Sequence, residues 1–273
     1  MLTLTQEEFE RLRHLLHMHA GLWFGEEARA TISRRILKRL SALEEESFAG
    51  YLRRVESDIA ELEEAVEACT VNETYVFRQE YQLKAIRYEI LPRIAKRERV
   101  TLWSAGCATG EEAYTLAAIV LESGLVKPER VHIFGTDISR RCIAAARKGV
   151  YSASSFRSAT NPIYTRYFIN QGDGNRVASP ELKAVCRFRQ ANLLIPEATL
   201  AGSLDAIFCR NVLIHMGEDA RRRVIENFYD RLAPGGYLLL GHSESLLGDP
   251  GRFDVIQLEG DIVYQRPERE SLS

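Results

Sequence analysis

Chemistry-bearing residues concentrate in two stretches of this 273-residue chain. The first is Asn72-Glu73-Thr74-Tyr75-Val76-Phe77-Arg78, which holds an amide, a carboxylate, two hydroxyls and a guanidinium. Asn, Thr and Glu also cap helices and form turns, so this run acquires meaning only from its context. The second is Ser104-Ala105-Gly106-Cys107-Ala108-Thr109-Gly110-Glu111-Glu112, directly after the apolar run Val100 to Trp103. Gly106 and Gly110 let the backbone approach a ligand closely before a helix begins. Their G-x-x-x-G spacing lacks the middle glycine of the dinucleotide fingerprint. Glu111 and Glu112 would repel a pyrophosphate from a helix start that otherwise attracts anions, so a ligand with a positive centre suits the loop better.

Ligands of open parallel sheets bind beyond the carboxyl ends of the strands, and polar or glycine residues follow each candidate strand. After Val131 to Phe134 comes Thr136-Asp137-Ile138-Ser139. An acid there can accept both hydroxyls of a ribose, although Asp137 or Ser139 could equally cap the next helix. Asn192-Leu193, and Arg210-Asn211-Val212 after Ala206 to Cys209, offer amides suited to an adenine edge. Each Asn taken alone is an ordinary turn residue. A glycine loop, a second-strand acid and later asparagines together describe the S-adenosylmethionine pocket of a class I methyltransferase, not a nicotinamide pocket.

The elements that must position these residues follow from hydrophobic period. Phe9, Leu12, Leu15 and Leu16, then Ile32, Ile36, Leu37 and Leu40, recur at helical spacing, so residues 1–70 are expected to be all-helical. Thr5 and Glu8 form a candidate capping box, and Gly21 and Gly25 interrupt the pattern around Leu22-Trp23-Phe24. Residues 71–98 read as a linker that reaches the cofactor. From 99 to 273, short apolar runs alternate with amphipathic helices starting near Glu111, Ser139 and Glu218, which implies a parallel sheet covered by helices. Phe253 to Gln257 and Asp261 to Gln265 leave no room for a helix between them and read as an antiparallel hairpin ending the sheet. The alternation lapses at about 151–191, where turns at Gly172-Asp173-Gly174-Asn175 and Ser179-Pro180 and a strand at Val185 to Arg189 suggest a small inserted β-subdomain. Pro267 to Ser273 reads as a frayed tail.

Composition narrows the field. With 45% hydrophobic residues the chain can bury a substantial core, and a net charge of −2 argues against general attraction to nucleic acid or membrane. The five scattered cysteines form no C-x-x-C pair and look like buried thiols in a reducing compartment. No leader or membrane-length apolar run is present, so a cytoplasmic protein is expected. His14, His17 and His19 have no Cys or carboxylate to complete a tetrahedral set, so no metal is expected. Ser243 lacks the spacing of a nucleophile elbow, and His242 is expected to support the pocket from a strand end.

The motifs resemble those of the chemotaxis receptor glutamate methyltransferases, the CheR family. The residues that carry the resemblance are NETYVFR at 72–78, WSAGCATGEE at 103–112, TDIS at 136–139, NLL at 192–194, FCRNVLIH at 208–215 and GHSE at 241–244, with looser matches at RYF 166–168 and in the helical region. The resemblance implies a helical amino-terminal domain, a Rossmann-like doubly wound methyltransferase domain and an inserted β-subdomain. It implies S-adenosylmethionine as methyl donor, S-adenosylhomocysteine as product, and a chemoreceptor coiled coil, of a methyl-accepting chemotaxis protein, as partner. The cofactor set becomes Asn72, Thr74, Arg78, Gly106, Glu112, Asp137, Ile138, Asn192, Leu193, Arg210 and Asn211. Arg78 is expected to hold the acceptor glutamate, with His215 beside it where the family usually carries Tyr; Ala113 stands where the family usually has Pro. Arg29, Arg34, Arg35, Lys38 and Arg39, with no acid from Ala28 to Leu43, are expected to form one basic helix face that docks on the acidic methylation helices of the receptor. A solvated helix face is the plain alternative. The short Gly172 to Asn175 turn argues against tethering of a receptor peptide to the β-subdomain, and a monomer is expected.

Overall fold

The computed structural model describes residues 2–157, 162–195 and 203–268. The amino-terminal domain is four helices: α1 (Gln6–Ala20), α2 (Arg29–Leu43), α3 (Phe48–Ser57) and α4 (Ile59–Cys69). The capping box expected at Thr5 forms, with the Glu8 N–H donating to Thr5 Oγ1 at 3.2 Å and the Thr5 N–H to Glu8 Oε2 at 2.9 Å. The helices pack around Phe9, Leu12, Leu16, Ile32, Ile36 and Tyr51, all buried. Burial of each such side chain contributes about 1.5–3 kcal/mol.

Gly21, in the left-handed region at φ 71°, ends α1. The next residues run extended toward the second domain: Leu22 forms an antiparallel bridge with Met216, the Trp23 N–H donates to His215 O at 2.8 Å and the Gly217 N–H to Gly21 O at 3.0 Å. A Cβ on Gly21 would sit 2.7 Å from the Met216 side chain. The interruption of the helical pattern therefore serves to join the two domains.

After the 71–79 segment, α5 (Glu80–Ala85), a π-turn over Ile86–Ile90 and α6 (Leu91–Ile94) lead into the sheet. The remaining elements are β1 (Val100–Ala105), α7 (Glu111–Ser123), β2 (Val131–Asp137), α8 (Arg140–Lys148), β3 (Val150–Tyr151), α9 (Ile163–Tyr167), β4 (Phe168–Asn170), β5 (Arg176–Ala178), α10 (Pro180–Val185), β6 (Cys186–Gln190), β7 (Leu204–Cys209), α11 (Glu218–Arg231), β8 (Leu232–Leu240), β9 (Asp254–Leu258) and β10 (Asp261–Gln265). The main sheet has the order β6-β2-β1-β7-β8-β10-β9. Strands β6, β2, β1, β7 and β8 pair in parallel, while β10 runs antiparallel to β8 and β9. The strand order reverses at β1, and the glycine loop and Asp137 lie at that switch point.

The inserted subdomain is smaller than the sequence suggests. Its antiparallel sheet, ordered β3-β5-β4, ends at Ala178. Cys186–Gln190 instead pairs in parallel with β2, from Ile133↔Cys186 to Asp137↔Gln190. As an edge strand it exposes Arg187 and Arg189 while Phe188 packs on Tyr114, ring centroids 5.2 Å apart. The alternating arginines make a main-sheet strand look like subdomain surface. Part of the tail expected to fray, beyond residue 268, lies outside the described residues.

Candidate active site

One cavity opens beyond the carboxyl ends of β1, β2 and β7, and residues of the helical domain close its far side. All the residues singled out for cofactor or catalysis line it: Asn72, Thr74, Arg78, Gly106, Glu112, Asp137, Ile138, Asn192, Leu193, Arg210, Asn211 and His215. Ala20, Leu22, Phe24, Cys69 and Thr70 line it as well. Ala20, Cys69 and Thr70 fall in the stretch that reads as helical and Leu22 and Phe24 where its pattern is interrupted, with no signal that any of them faces a ligand.

The glycine loop is tightly built. The Gly106 and Cys107 N–H groups donate to Thr136 O at 2.8 and 2.9 Å, folding the loop back over β2. Gly106 has φ +77°, and a Cβ there would lie 2.4 Å from Val212 Cγ2, so both backbone and space demand glycine. Asp137 accepts the Ala108 N–H at 2.8 Å on Oδ2 and the Ser139 N–H at 2.9 Å on Oδ1. Burial pushes its pKa up, and these N–H groups pull it back. Each oxygen keeps a lone pair for a ribose hydroxyl.

The two glutamates at the start of α7 part company. Glu112 lines the cavity; its Oε1 accepts the Ser104 hydroxyl at 2.6 Å and its Oε2 accepts Arg210 Nη1–H at 3.1 Å. Burial raises its pKa, with Arg210 the main opposing influence. Glu111 instead turns out of the cavity, accepting the Thr109 hydroxyl at 2.6 Å and the Ser155 hydroxyl at 3.2 Å. Only one of the paired carboxylates therefore faces a ligand, and Arg210 offsets its charge. The expected repulsion of anions by both glutamates is corrected accordingly.

Arg210 also anchors the 72–79 run. With its side chain 3% exposed, it donates to Arg78 O at 2.7 Å and, through Nε, to Gln79 Oε1 at 3.1 Å. Phe77 and Gln79, on either side of Arg78, both have φ 59°, a region that costs non-glycine residues roughly 1–2 kcal/mol each. Arg210 and the Phe77 N–H to Thr115 Oγ1 bond, 3.1 Å, hold them there. Arg78 is thereby presented to the cavity with its guanidinium donating, among the described residues, only to Glu73 O at 3.1 Å and lying 5.5 Å from the Tyr75 ring centroid. It forms no ion pair with a carboxylate among the described residues.

Glu244 is the organising residue that sequence reasoning passed over. Its buried carboxylate accepts the N–H groups of Asn211 (2.7 Å), Val212 (2.8 Å), Ile214 (3.1 Å) and Gly241 (2.8 Å). His242, expected to support the pocket, is exposed and does not line it; Glu244, two residues on, has that task. The signal available was an acid close behind the apolar run Tyr237 to Leu240. Asn211, at φ 61°, has its Oδ1 buried without a partner among the described residues, an acceptor that a ligand N–H would satisfy. This orphaned acceptor, the space kept open at Gly106 and the free lone pairs of Asp137 fit a nucleoside carrying an ammonium group.

Asn192 is more committed than an adenine contact requires. Its Nδ2 donates to His19 O at 2.6 Å and its Oδ1 accepts the Leu194 N–H at 3.0 Å, leaving one N–H and one lone pair. The His215 imidazole is half-buried and makes no hydrogen bond among the described residues. Burial lowers its pKa, Glu244 opposes that and Arg35 adds to it, so the neutral ring is favoured.

The basic run on α2 is not one free face. Arg39 grips the buried Glu61 carboxylate, with Nε to Oε1 at 3.1 Å, and the Tyr51 hydroxyl donates to the same oxygen at 2.9 Å. Arg35 Nη1 donates to Cys69 O at 2.7 Å and Thr70 O at 3.1 Å, and Arg29 Nη1 to Gln6 Oε1 at 2.7 Å. Only Arg34 and Lys38 are exposed. Residues at i and i+4 share a helix side, so Arg35 and Arg39 turn together toward α4. Among the described residues no His, Cys, Asp or Glu cluster could hold a metal, and no helix is long and apolar enough to cross a membrane.

Comparison with known proteins agrees with this architecture. Residues 7–70 match the family described as CheR methyltransferase, all-alpha domain, and residues 72–262 match CheR methyltransferase, SAM binding domain. The chain is 33% identical to chemotaxis protein methyltransferase 2 of Vibrio cholerae, across 98% of this chain and 96% of that one. It is 32% identical to chemotaxis protein methyltransferase 1 of Pseudomonas aeruginosa, across 94% and 97%, and 31% identical to the chemotaxis protein methyltransferase of Salmonella typhimurium, across 96% and 91%. The chain belongs to the CheR family and is an S-adenosylmethionine-dependent methyltransferase with a class I fold.

Proposed function

We propose that the protein transfers a methyl group to glutamate side chains in the cytoplasmic coiled coil of a chemoreceptor, giving glutamyl methyl esters and S-adenosylhomocysteine. The observation that carries this reading is Arg78: a cavity-lining guanidinium that the fold positions through two left-handed residues and that forms no ion pair with a carboxylate among the described residues. A glutamate entering the cavity supplies the missing partner, in the bidentate geometry that arginine favours.

S-adenosylmethionine supplies, when bound, an electrophilic methyl on a sulfonium centre. Asp137 would accept its ribose hydroxyls, Gly106 would admit its close approach and Asn211 Oδ1 would accept an N–H. On the acceptor side no general base is needed, because a carboxyl group of pKa about 4.3 is already ionised at neutral pH. Arg78 holds the carboxylate so that a free lone pair of one oxygen faces the methyl carbon, and such orientation contributes up to roughly 7–11 kcal/mol. Transfer would give the carboxylate oxygen the methyl carbon while the carbon–sulfur bond electron pair would pass to sulfur, and no proton need move. A neutral His215 can donate one hydrogen bond at the acceptor without adding charge, a role that a tyrosine hydroxyl could also fill. Arg34 and Lys38 offer the positive charge for an acidic helix.

Incubation with radiolabelled S-adenosylmethionine and receptor-rich membranes tests the reading. Label should appear in a receptor band and be released by mild base as methanol. Label that resists base excludes a carboxyl ester and with it the glutamate acceptor.

A further inference from the structure

The cofactor half of the cavity is not completed by the α/β domain alone. Helix α4 of the helical domain passes the start of α8, and its half-buried Glu67 acts there as an external cap. Glu67 Oε2 accepts the Arg140 N–H at 2.9 Å, and Oε1 accepts the Ser139 hydroxyl. That hydroxyl accepts the Cys142 N–H at 3.0 Å, and the Ser139 N–H donates to Asp137 Oδ1 at 2.9 Å. A carboxylate suits this place because the first turn of a helix has unpaired N–H groups and a positive dipole end. Ser139 is fully buried, so its hydroxyl must keep both partners or leave one unsatisfied.

We propose that Glu67 is a positioning residue for the nucleoside half of the site: acting through Ser139, it fixes the turn that aims the Asp137 carboxylate. The helical domain is then part of the cofactor site as well as a docking module. This rests on the reading of Asp137 as the ribose acid. A neighbour on the same helix shows what sets Glu67 apart. Glu64 also meets α8, pairing with Arg140 and with Arg141 at 2.9 Å, but only at the ends of exposed side chains. It touches no backbone of the Asp137 turn, so it serves as the control.

Calorimetry with S-adenosylhomocysteine on the full chain tests this, alongside KM for S-adenosylmethionine and kcat with receptor-rich membranes. Glu67→Ala should weaken binding on the order of tenfold, the usual scale for losing a hydrogen bond to a charged group, and raise KM with kcat at saturation unchanged. Glu67→Gln, which keeps one acceptor oxygen, should restore part of the affinity, and it carries the comparison if the alanine variant does not fold. Glu64→Gln should bind as the parent does. The decisive measurement is a double-mutant cycle: in an Asp137→Ala background the Glu67 substitution should have no further effect. Equal losses in both backgrounds, or unchanged affinity on substituting Glu67 alone, overturn the inference while leaving the ribose assignment standing. An Asp137→Ala variant with parental affinity overturns the ribose assignment and the inference with it.

Discussion

The two halves of the cavity are built on different terms. On the nucleoside side, Asp137 receives two backbone N–H groups, Glu244 receives four, and the Glu112–Arg210 pair sits under the loop. On the proposed acceptor side, among the described residues, the Arg78 guanidinium donates only to the Glu73 carbonyl and the His215 ring has no hydrogen-bond partner. On the proposed reading, the half that would meet the same small molecule in every turnover is preorganised, so binding there would order little. The half proposed to meet a protein keeps its polar groups for that substrate to satisfy.

The largest expected effect tests that division directly. Arg78→Ala should lower turnover by about 10²–10³-fold, the scale for losing one preorganised donor at a reacting group, while calorimetry shows S-adenosylhomocysteine affinity close to the parent's. If affinity and turnover fall together, Arg78 belongs to the nucleoside half and the division breaks.

The same contrast runs through α2 at smaller scale. Arg39→Ala strands a Glu61 carboxylate that is 4% exposed, and chemical denaturation should show a loss of about 2 kcal/mol, below the usual figure for a fully buried pair because Arg39 is partly solvated. Arg34→Glu with Lys38→Glu should leave stability and cofactor affinity unchanged, lower receptor methylation several-fold, and reduce its salt sensitivity. Unchanged methylation in the second variant would show that the solvated cations of α2 play no part in docking.

The central strands were legible from sequence because each contains an apolar run with a glycine or a polar residue behind it, and strand ends are where such a fold keeps its ligand. The cavity-lining residues that follow strands were legible for the same reason. Three features were not. Cys186–Gln190 carries arginines because one face of an edge strand meets water, a pattern shared with subdomain surface. Arg35 and Arg39 look identical to Arg34 and Lys38 in a charge run, and only helix rotation separates them. Glu67 and Glu244 act on backbone N–H groups 73 and 33 residues away, so Glu67 leaves no local spacing to read and Glu244 shows only as an acid behind the apolar run Tyr237 to Leu240.

Adjacent Glu111 and Glu112 give the finest version of the comparison, and the smallest effect. Glu111 is 3% exposed and lies outside the cavity lining. Burial raises its pKa, against the Thr109 and Ser155 hydroxyls that pull it down. An acid whose pKa is higher folded than unfolded binds its proton more tightly in the folded state. The stability this supplies is fully present below the unfolded value and is lost as pH rises through the folded one. Glu111→Gln keeps the shape and carries no such proton, so its Tm measured against the parent's should be more favourable at pH 7 than at pH 4. Cofactor affinity should not change, since the side chain points away from the ligand. A Tm difference that runs the other way with pH would mean that the two hydroxyls outweigh burial and hold Glu111 ionised, making it a second built-in anion beside the loop.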